Sequence, residues 1–220
     1  MGISPVVIAA SIKQTATIIF LHGLGDTGLG WSQSMQDIRE PYIKIICPTA
    51  NTMPVSMNDG CEMPSWFDLH GLDESAAEDI QGLNNSVTYV HSLIDKEIIA
   101  GIPSERIIVG GFSQGGTLAL HSGLKFPGKL AGIVALSCWL RMSETLSPSS
   151  VTSNRDIPIL QCHGDYDTTV QYKFGQTTAS FLKNFSENVD FRTYKGLTHS
   201  TSDEEMNDIK KFIKNRLPAV

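Results

Sequence analysis

Residues 111–115 read Gly-Phe-Ser-Gln-Gly, a G-x-S-x-G pentapeptide directly behind the apolar β-type run 106–110. A serine between glycines, at the end of a buried strand and the start of a helix, is forced onto a tight turn. The Ser113 hydroxyl then projects out of the sheet, and the following N–H, that of Gln114, is free to face a reacting carbonyl oxygen. The chemistry is nucleophilic attack on an acyl carbon. Such a hydroxyl needs a base to take its proton and an acid to orient that base.

In this kind of site the chain order is serine, acid, histidine, each at the carboxyl end of a later strand. Six histidines compete. His22, His70 and His91 precede the serine, His121 falls in the helix behind it, and His163 ends a strand. His199 alone lies in a loop between the last strand and the last helix, downstream of several carboxylates, and it is the candidate base. The acid is expected in Gly164-Asp165-Tyr166-Asp167, after the strand 157–163. Spacing leaves Asp165 and Asp167 open; one would orient the imidazole and the other pin the turn. An oxyanion needs two N–H donors. Gln114 supplies one, and Leu24, flanked by Gly23 and Gly25 behind the strand 16–22, is placed to supply the other.

The same glycines spell a second motif. Gly23-Leu24-Gly25-Asp26-Thr27-Gly28 is a literal G-x-G-x-x-G after a strand, the dinucleotide-binding fingerprint. That reading requires an acid at the end of the second strand to bind ribose. The second strand ends Ile45-Ile46-Cys47-Pro48, and the fingerprint leaves Ser113 and His199 without a role.

These groups must be positioned by the alternation of continuous apolar runs and helical stripes along the chain. Residues 16–22, 43–48, 106–112, 130–137 and 157–163 read as strands buried on both faces. Residues 190–194 suggest an edge strand, and 5–10 a short first one. Ile80, Leu83, Val87, Val90, Ile94 and Ile98 recur at helical steps. Phe174, Phe181 and Phe185 suggest another helix, and Ser202 with Glu205 fits a capping box ahead of Met206, Ile209, Phe212 and Ile213. The pattern implies one α/β domain over residues 1–220, with a mainly parallel sheet covered on both sides. Residues 49–74 show no period yet hold several methionines and aromatics. They could line an apolar slot for a flexible chain, or merely pack the loop onto the body.

Composition narrows the function. With 220 residues, 41% hydrophobic and a net charge of −6, the chain is an ordinary globular protein without a basic surface for nucleic acid. The N-terminal residues show no secretion signal, and no apolar run approaches a membrane span. Cys47, Cys138 and Cys162 read as reduced core thiols, so a cytoplasmic location is expected. No cysteine–histidine cluster suggests a metal, and the serine chemistry requires no cofactor.

At this point the chain resembles the acyl-protein thioesterases and cytosolic lysophospholipases of the α/β-hydrolase fold. The resemblance is carried by Phe20-Leu21-His22-Gly23-Leu24-Gly25-Asp26-Thr27-Gly28, Met63-Pro64-Ser65-Trp66-Phe67-Asp68, Gly101-Ile102-Pro103, residues 110–116, Leu136-Ser137-Cys138-Trp139-Leu140 and His163-Gly164-Asp165. These run from about residue 18 to 212. The resemblance implies Ser113 as nucleophile, Asp167 as acid and His199 as base, with Leu24 and Gln114 as oxyanion donors. It also implies Met63, Trp66, Phe67 and Trp139 at an acyl-binding groove. Substrates would be S-acylated proteins and lysophospholipids, reached with at most transient contact with a membrane surface. The family usually has proline after the catalytic aspartate and after the next valine; here Thr168 and Gln171 stand there. Lipid-anchored members carry a cysteine near the N-terminus, and none precedes Cys47, so no such anchor is expected. A small-ester carboxylesterase and a non-catalytic acyl-chain binder are the rival readings.

Overall fold

The computed structural model describes residues 4–141, 146, 151, 153–184, 186 and 188–220. The first three residues and Phe185 therefore lie outside the described residues. The strands are β1 (Val6–Ile8), β2 (Ala16–Leu21), β3 (Ile43–Cys47), β4 (Thr52–Val55), β5 (Cys61–Pro64), β6 (Ile107–Phe112), β7 (Gly132–Leu136), β8 (Ile159–Gly164) and β9 (Val189–Tyr194). The helices are α1 (Gly28–Ile38), α2 (Ile80–Ile99), α3 (Gln114–Lys125), α4 (Tyr172–Lys183) and α5 (Asp203–Arg216).

Seven strands form one sheet in the order β1-β3-β2-β6-β7-β8-β9. All pairings are parallel except β1 with β3, which is antiparallel. This is the mainly parallel sheet expected of the alternating pattern, and it is the α/β-hydrolase architecture that the resemblance implies. The continuous apolar runs split by the strand period of two. Ile19 and Leu21 of β2 face one core with Leu83, Val90, Leu118 and Leu120 of α2 and α3. Ile18 and Phe20 face the other, with Trp31 and Met35 of α1 and Ile209 and Ile213 of α5. Both faces being covered is why the strands read as unbroken apolar runs.

The helix ends are set by their own side chains. Asp79 caps α2 by accepting the Gly82 N–H at 2.8 Å, and the Ser202 hydroxyl caps α5 by accepting the Glu205 N–H at 3.2 Å. The predicted stripe of α2 is buried at Leu83, Val87, Val90 and Ile94, while Ile80 and Ile98 at its ends are exposed.

Two elements differ from expectation. Helix α1 carries Trp31, Met35 and Ile38 on its buried face, a spacing of four and three masked by the glycines at its start. Within 49–74 the chain forms a hairpin, β4 against β5, paired from Thr52–Pro64 to Val55–Cys61. Two four-residue strands, each holding a proline and only partly buried, show too little alternation to be read from sequence.

Helix α3 lies so close to the sheet that a Cβ on Gly115 would stand 2.2 Å from Leu21 O and 2.5 Å from His22 O. Both are backbone atoms of a central strand and its exit, so neither can give way. Gly115→Ala should therefore destabilise the fold by about 1–3 kcal/mol, measured as a lower midpoint in denaturant or thermal unfolding. An unchanged midpoint would mean that α3 can move away from β2 at no cost.

Candidate active site

Ser113 sits between β6 and α3 with φ 54° and ψ −120°, a left-handed conformation that L-residues rarely adopt. Its N–H donates to Leu136 O at 2.8 Å, and its carbonyl accepts the Thr117 N–H at 3.1 Å. A Cβ at Gly111 would lie 2.3 Å from Gly115 O, so the turn can close only without one. The elbow read from the pentapeptide is thus present, with its serine lifted off the end of the sheet.

The imidazole of His199 stands between that serine and an aspartate. Its Nε2 is 3.0 Å from Ser113 Oγ, and its Nδ1 is 2.7 Å from Asp167 Oδ2. An ionised carboxylate only accepts hydrogen bonds, so Nδ1 carries the proton and Nε2 is left as an acceptor for the serine hydroxyl. The Phe112 ring packs on the imidazole at a centroid distance of 4.7 Å, and Trp31 packs on Phe112 at 5.2 Å. The arrangement can pass a proton from Ser113 Oγ to His199 Nε2 while Asp167 steadies the resulting charge.

The two aspartates left open by spacing have separate surroundings. Asp165 is exposed, and its Oδ1 accepts the Gly196 N–H at 2.6 Å, which ties its turn to the loop after β9. Asp167 is buried. Its Oδ1 accepts the Thr169 and Val170 N–H groups, each at 2.9 Å. His163 Nε2 donates to Val170 O at 2.8 Å and lies 3.5 Å from Asp167 Oδ2. Burial alone would raise the carboxyl pKa, but the His163 and His199 side chains outweigh it and hold the group well below the ordinary carboxylate range. His163, which competed as a base in the sequence, is therefore a neighbour of the acid. These bonds hold Thr169 and Val170, the two residues between Thr168 and Gln171, where the family's prolines would stand.

Both expected oxyanion donors flank the elbow: Gln114 follows Ser113 directly, and Leu24 lines the cavity that opens on it. Among the described residues, no hydrogen bond uses the N–H of Leu24 or of Gln114. Gln114 opens α3, where the first N–H groups lack intrahelical partners and the helix dipole favours negative charge. Gly25 has φ 76°, and a Cβ on Gly23 would lie 3.4 Å from Ser113 Cβ. The glycines around Leu24 thus serve a close approach to the elbow. No carboxylate stands at the end of β3, where the dinucleotide reading needed one.

A cavity of about 490 Å³ opens on Ser113 and His199 and is walled by Trp31, Met57, Leu69, Leu72 and Phe112. Met63, Trp66, Phe67 and Trp139, expected at an acyl groove, are not among the residues that line it. Their surroundings give the reason. The Trp66 N–H donates to Gln114 Oε1 at 3.1 Å, Trp66 Nε1 donates to His22 O at 2.9 Å, and Gln114 Nε2 donates to Phe67 O at 2.8 Å. The 65–67 segment is a buried strut joining the two oxyanion loops. Met63 packs beneath Gly25, with its Sδ 3.6 Å from where a Gly25 Cβ would stand. Trp139 stacks on Phe174 at 4.0 Å and 6°. Of the cavity wall, Trp31 had a signal in the Trp31-Met35-Ile38 spacing; Met57, Leu69 and Leu72 had none beyond membership of the aperiodic segment.

Among the described residues, no group of three or more histidine, cysteine or acidic side chains is arranged to hold a metal ion. Cys47 and Cys138 are buried, and burial pushes both thiols up to about 12, so neither offers a thiolate.

A model described as phospholipase/carboxylesterase matches residues 3–217. The chain belongs to this family. Among family relatives, acyl-protein thioesterase 1 of Neurospora crassa is 44% identical over 228 residues, covering 98% of this chain and 93% of that protein. Acyl-protein thioesterase 1 of Gibberella zeae is 40% identical over 227 residues, covering 98% and 97%. The crystal structure of Zea mays acyl-protein thioesterase 2 superposes with a TM-score of 0.88 at 37% identity, covering 97% and 98% of the two chains. Phospholipases and carboxylesterases are hydrolases, and this chain is one.

The Asp167 carboxyl, depressed by its histidine partners, contributes stability that is present above the ordinary carboxylate pKa and is lost as pH falls toward its lowered value. The thermal midpoints of wild type and Asp167→Asn should differ most near neutral pH and converge as pH falls below about 4. A gap that stays constant down to about pH 3 would contradict the depressed carboxyl.

Proposed function

We propose that the protein is a serine hydrolase of long-chain acyl thioesters on protein cysteines, working in the cytoplasm, with lysophospholipids as slower oxygen-ester substrates. The observation that carries this reading is the bonded line Ser113–His199–Asp167 ending in an apolar cavity of about 490 Å³. Relatives named acyl-protein thioesterase, matched over nearly the whole chain, support the thioester.

Ser113 Oγ attacks the acyl carbon while His199 Nε2 takes the hydroxyl proton. The carbonyl oxygen becomes an oxyanion held by the Leu24 and Gln114 N–H groups, a contact whose loss costs about two to three powers of ten in rate at comparable sites. Collapse of this intermediate breaks the carbon–sulfur bond, and the proton on His199 passes to the departing thiolate. A cysteine thiol has an ordinary pKa of about 8.5, so it leaves far more readily than an alkoxide. Water then attacks the acyl-serine, giving its proton to His199; collapse breaks the acyl–Oγ bond, His199 returns the proton to Ser113 Oγ, and the fatty acid departs. None of these steps draws on a metal or cofactor.

The walls favour this reading over that of a small-ester carboxylesterase. Each methylene moved from water into an apolar cavity is worth about 0.8 kcal/mol, or roughly fourfold in affinity. On a series of acyl-thioester peptides, kcat/KM should climb with chain length until the cavity is filled. A profile flat from acetyl to palmitoyl would favour the small-ester reading, and tight acyl binding without turnover would favour a silent binder.

Ser113→Ala should lose all covalent labelling by a fluorophosphonate and reduce thioester turnover by at least about a thousandfold. Labelling that persists at full stoichiometry would place the nucleophile elsewhere.

A further inference from the structure

Arg141 has no part in the chemistry above, yet its permanently charged side chain is buried. Its Nη2 donates to Ala76 O at 2.9 Å, its Nη1 donates to Gly71 O, and its Nε faces Glu78 Oε1 at 3.4 Å. The guanidinium also stands over the Trp139 ring, 5.0 Å from its centroid. The Arg141 carbonyl accepts from His121 Nε2 at 2.7 Å, which fixes the main chain at the base of the clamp.

The segment so gripped has no helix or strand. Residues 70–77 form a largely exposed loop whose neck is closed by a bridge between Leu69 and Glu78. Leu69 and Leu72, at the start of that loop, wall the cavity above Ser113. A loop without a sheet partner must find donors for its inward carbonyls elsewhere. Here a single planar fork takes two of them, from residues five apart in sequence. A lysine could reach one carbonyl but not span both.

We infer that Arg141 sets the preference for long over short acyl chains by clamping the loop that carries Leu72 against the acyl cavity. The inference rests on the thioesterase reading, which supplies the acyl chain. Arg141 is a positioning residue: it holds the loop of Leu72 and is not among the residues lining the cavity, and a palmitoyl chain, being far longer than an acetyl group, depends more on the wall that Leu72 forms.

The test compares kcat and KM for a palmitoyl and an acetyl thioester of one peptide, using the full chain and its Arg141→Met, Arg141→Lys, Leu72→Ala and Arg141→Met/Leu72→Ala forms. Arg141→Met keeps the packing on Trp139 but donates nothing. It should raise the palmitoyl KM about tenfold, with the acetyl KM and both kcat values within about twofold. Arg141→Lys should recover part of the loss. Leu72→Ala should raise the palmitoyl KM to a similar degree, and the double variant should add little, because both changes remove one wall. Equal losses on both substrates, fully additive effects, or an unchanged palmitoyl KM would each overturn the inference. Should Arg141→Met fail to fold, Arg141→Lys must still show the chain-length-selective rise. A wild type that hydrolyses neither thioester would sink the thioesterase reading instead.

Discussion

The contact between α3 and β2 is the constraint from which the site follows. Gly115 brings the helix to within van der Waals range of the Leu21 and His22 carbonyls, closer than any side chain permits. Once the helix is there, the link from β6 has a single residue in which to turn. That residue must accept a positive φ, at a cost of about 1–3 kcal/mol. Ser113 accepts it because its N–H and carbonyl are bonded on either side, to Leu136 and Thr117. The same closeness points the N-terminus of α3 at the place where an acyl oxygen would sit. Strain at the nucleophile, a free N–H at Gln114 and a favourable dipole are thus three results of one packing distance.

The oxyanion loop is tied to that contact through side chains rather than through the sheet. Gln114 is both the residue whose N–H is unpaired and the residue whose amide holds the 65–67 segment. Trp66 in turn bonds the His22 carbonyl, next to Gly23. A disturbance of the strut would move both expected donors together. Trp66 is accordingly buried with its indole N–H bonded, and Phe67 is buried beside it, whereas sequence alone left open whether such side chains line a slot or pack the loop onto the body.

Legibility tracks the range over which each feature is determined. The sheet strands were readable because burial on both faces leaves a local mark, an unbroken apolar run. Ser113 was readable because strand, elbow and helix follow one another without a break from Ile107 to Lys125. His199 followed from chain order, since each strand end contributes in turn. The choice of Asp167 over Asp165 was not visible in spacing, because both flank the same tyrosine; it depends on which carboxylate His163 and the Val170 N–H can reach, a contact made after β8 and α4 are in place. The hairpin β4–β5 and the cavity wall were hidden for a different reason. Their residues bury one side against a surface that exists only in three dimensions, so they carry no period of their own. Trp31 is the instructive miss: the Trp31-Met35-Ile38 spacing marks its helix, but the glycines at residues 23, 25 and 28 drew attention to an oxyanion loop and a dinucleotide fingerprint instead.

The two classes of feature also divide the work. The reacting groups sit at strand ends, where a rigid sheet holds their separations. Apart from Phe112, the apolar walls come from α1 and from irregular chain after β3, whose backbone polar groups are satisfied by side chains, such as Asp68 on the Ser56 N–H, Asp79 on the Asp68 N–H and Arg141 on two carbonyls. Such a wall can be reshaped without touching the proton path, because its anchors are replaceable one at a time while the strand-end geometry is not. An acyl group proposed for this site would therefore be selected through polar anchors that do not touch the bond-breaking centre, even though the surface meeting the acyl chain is apolar.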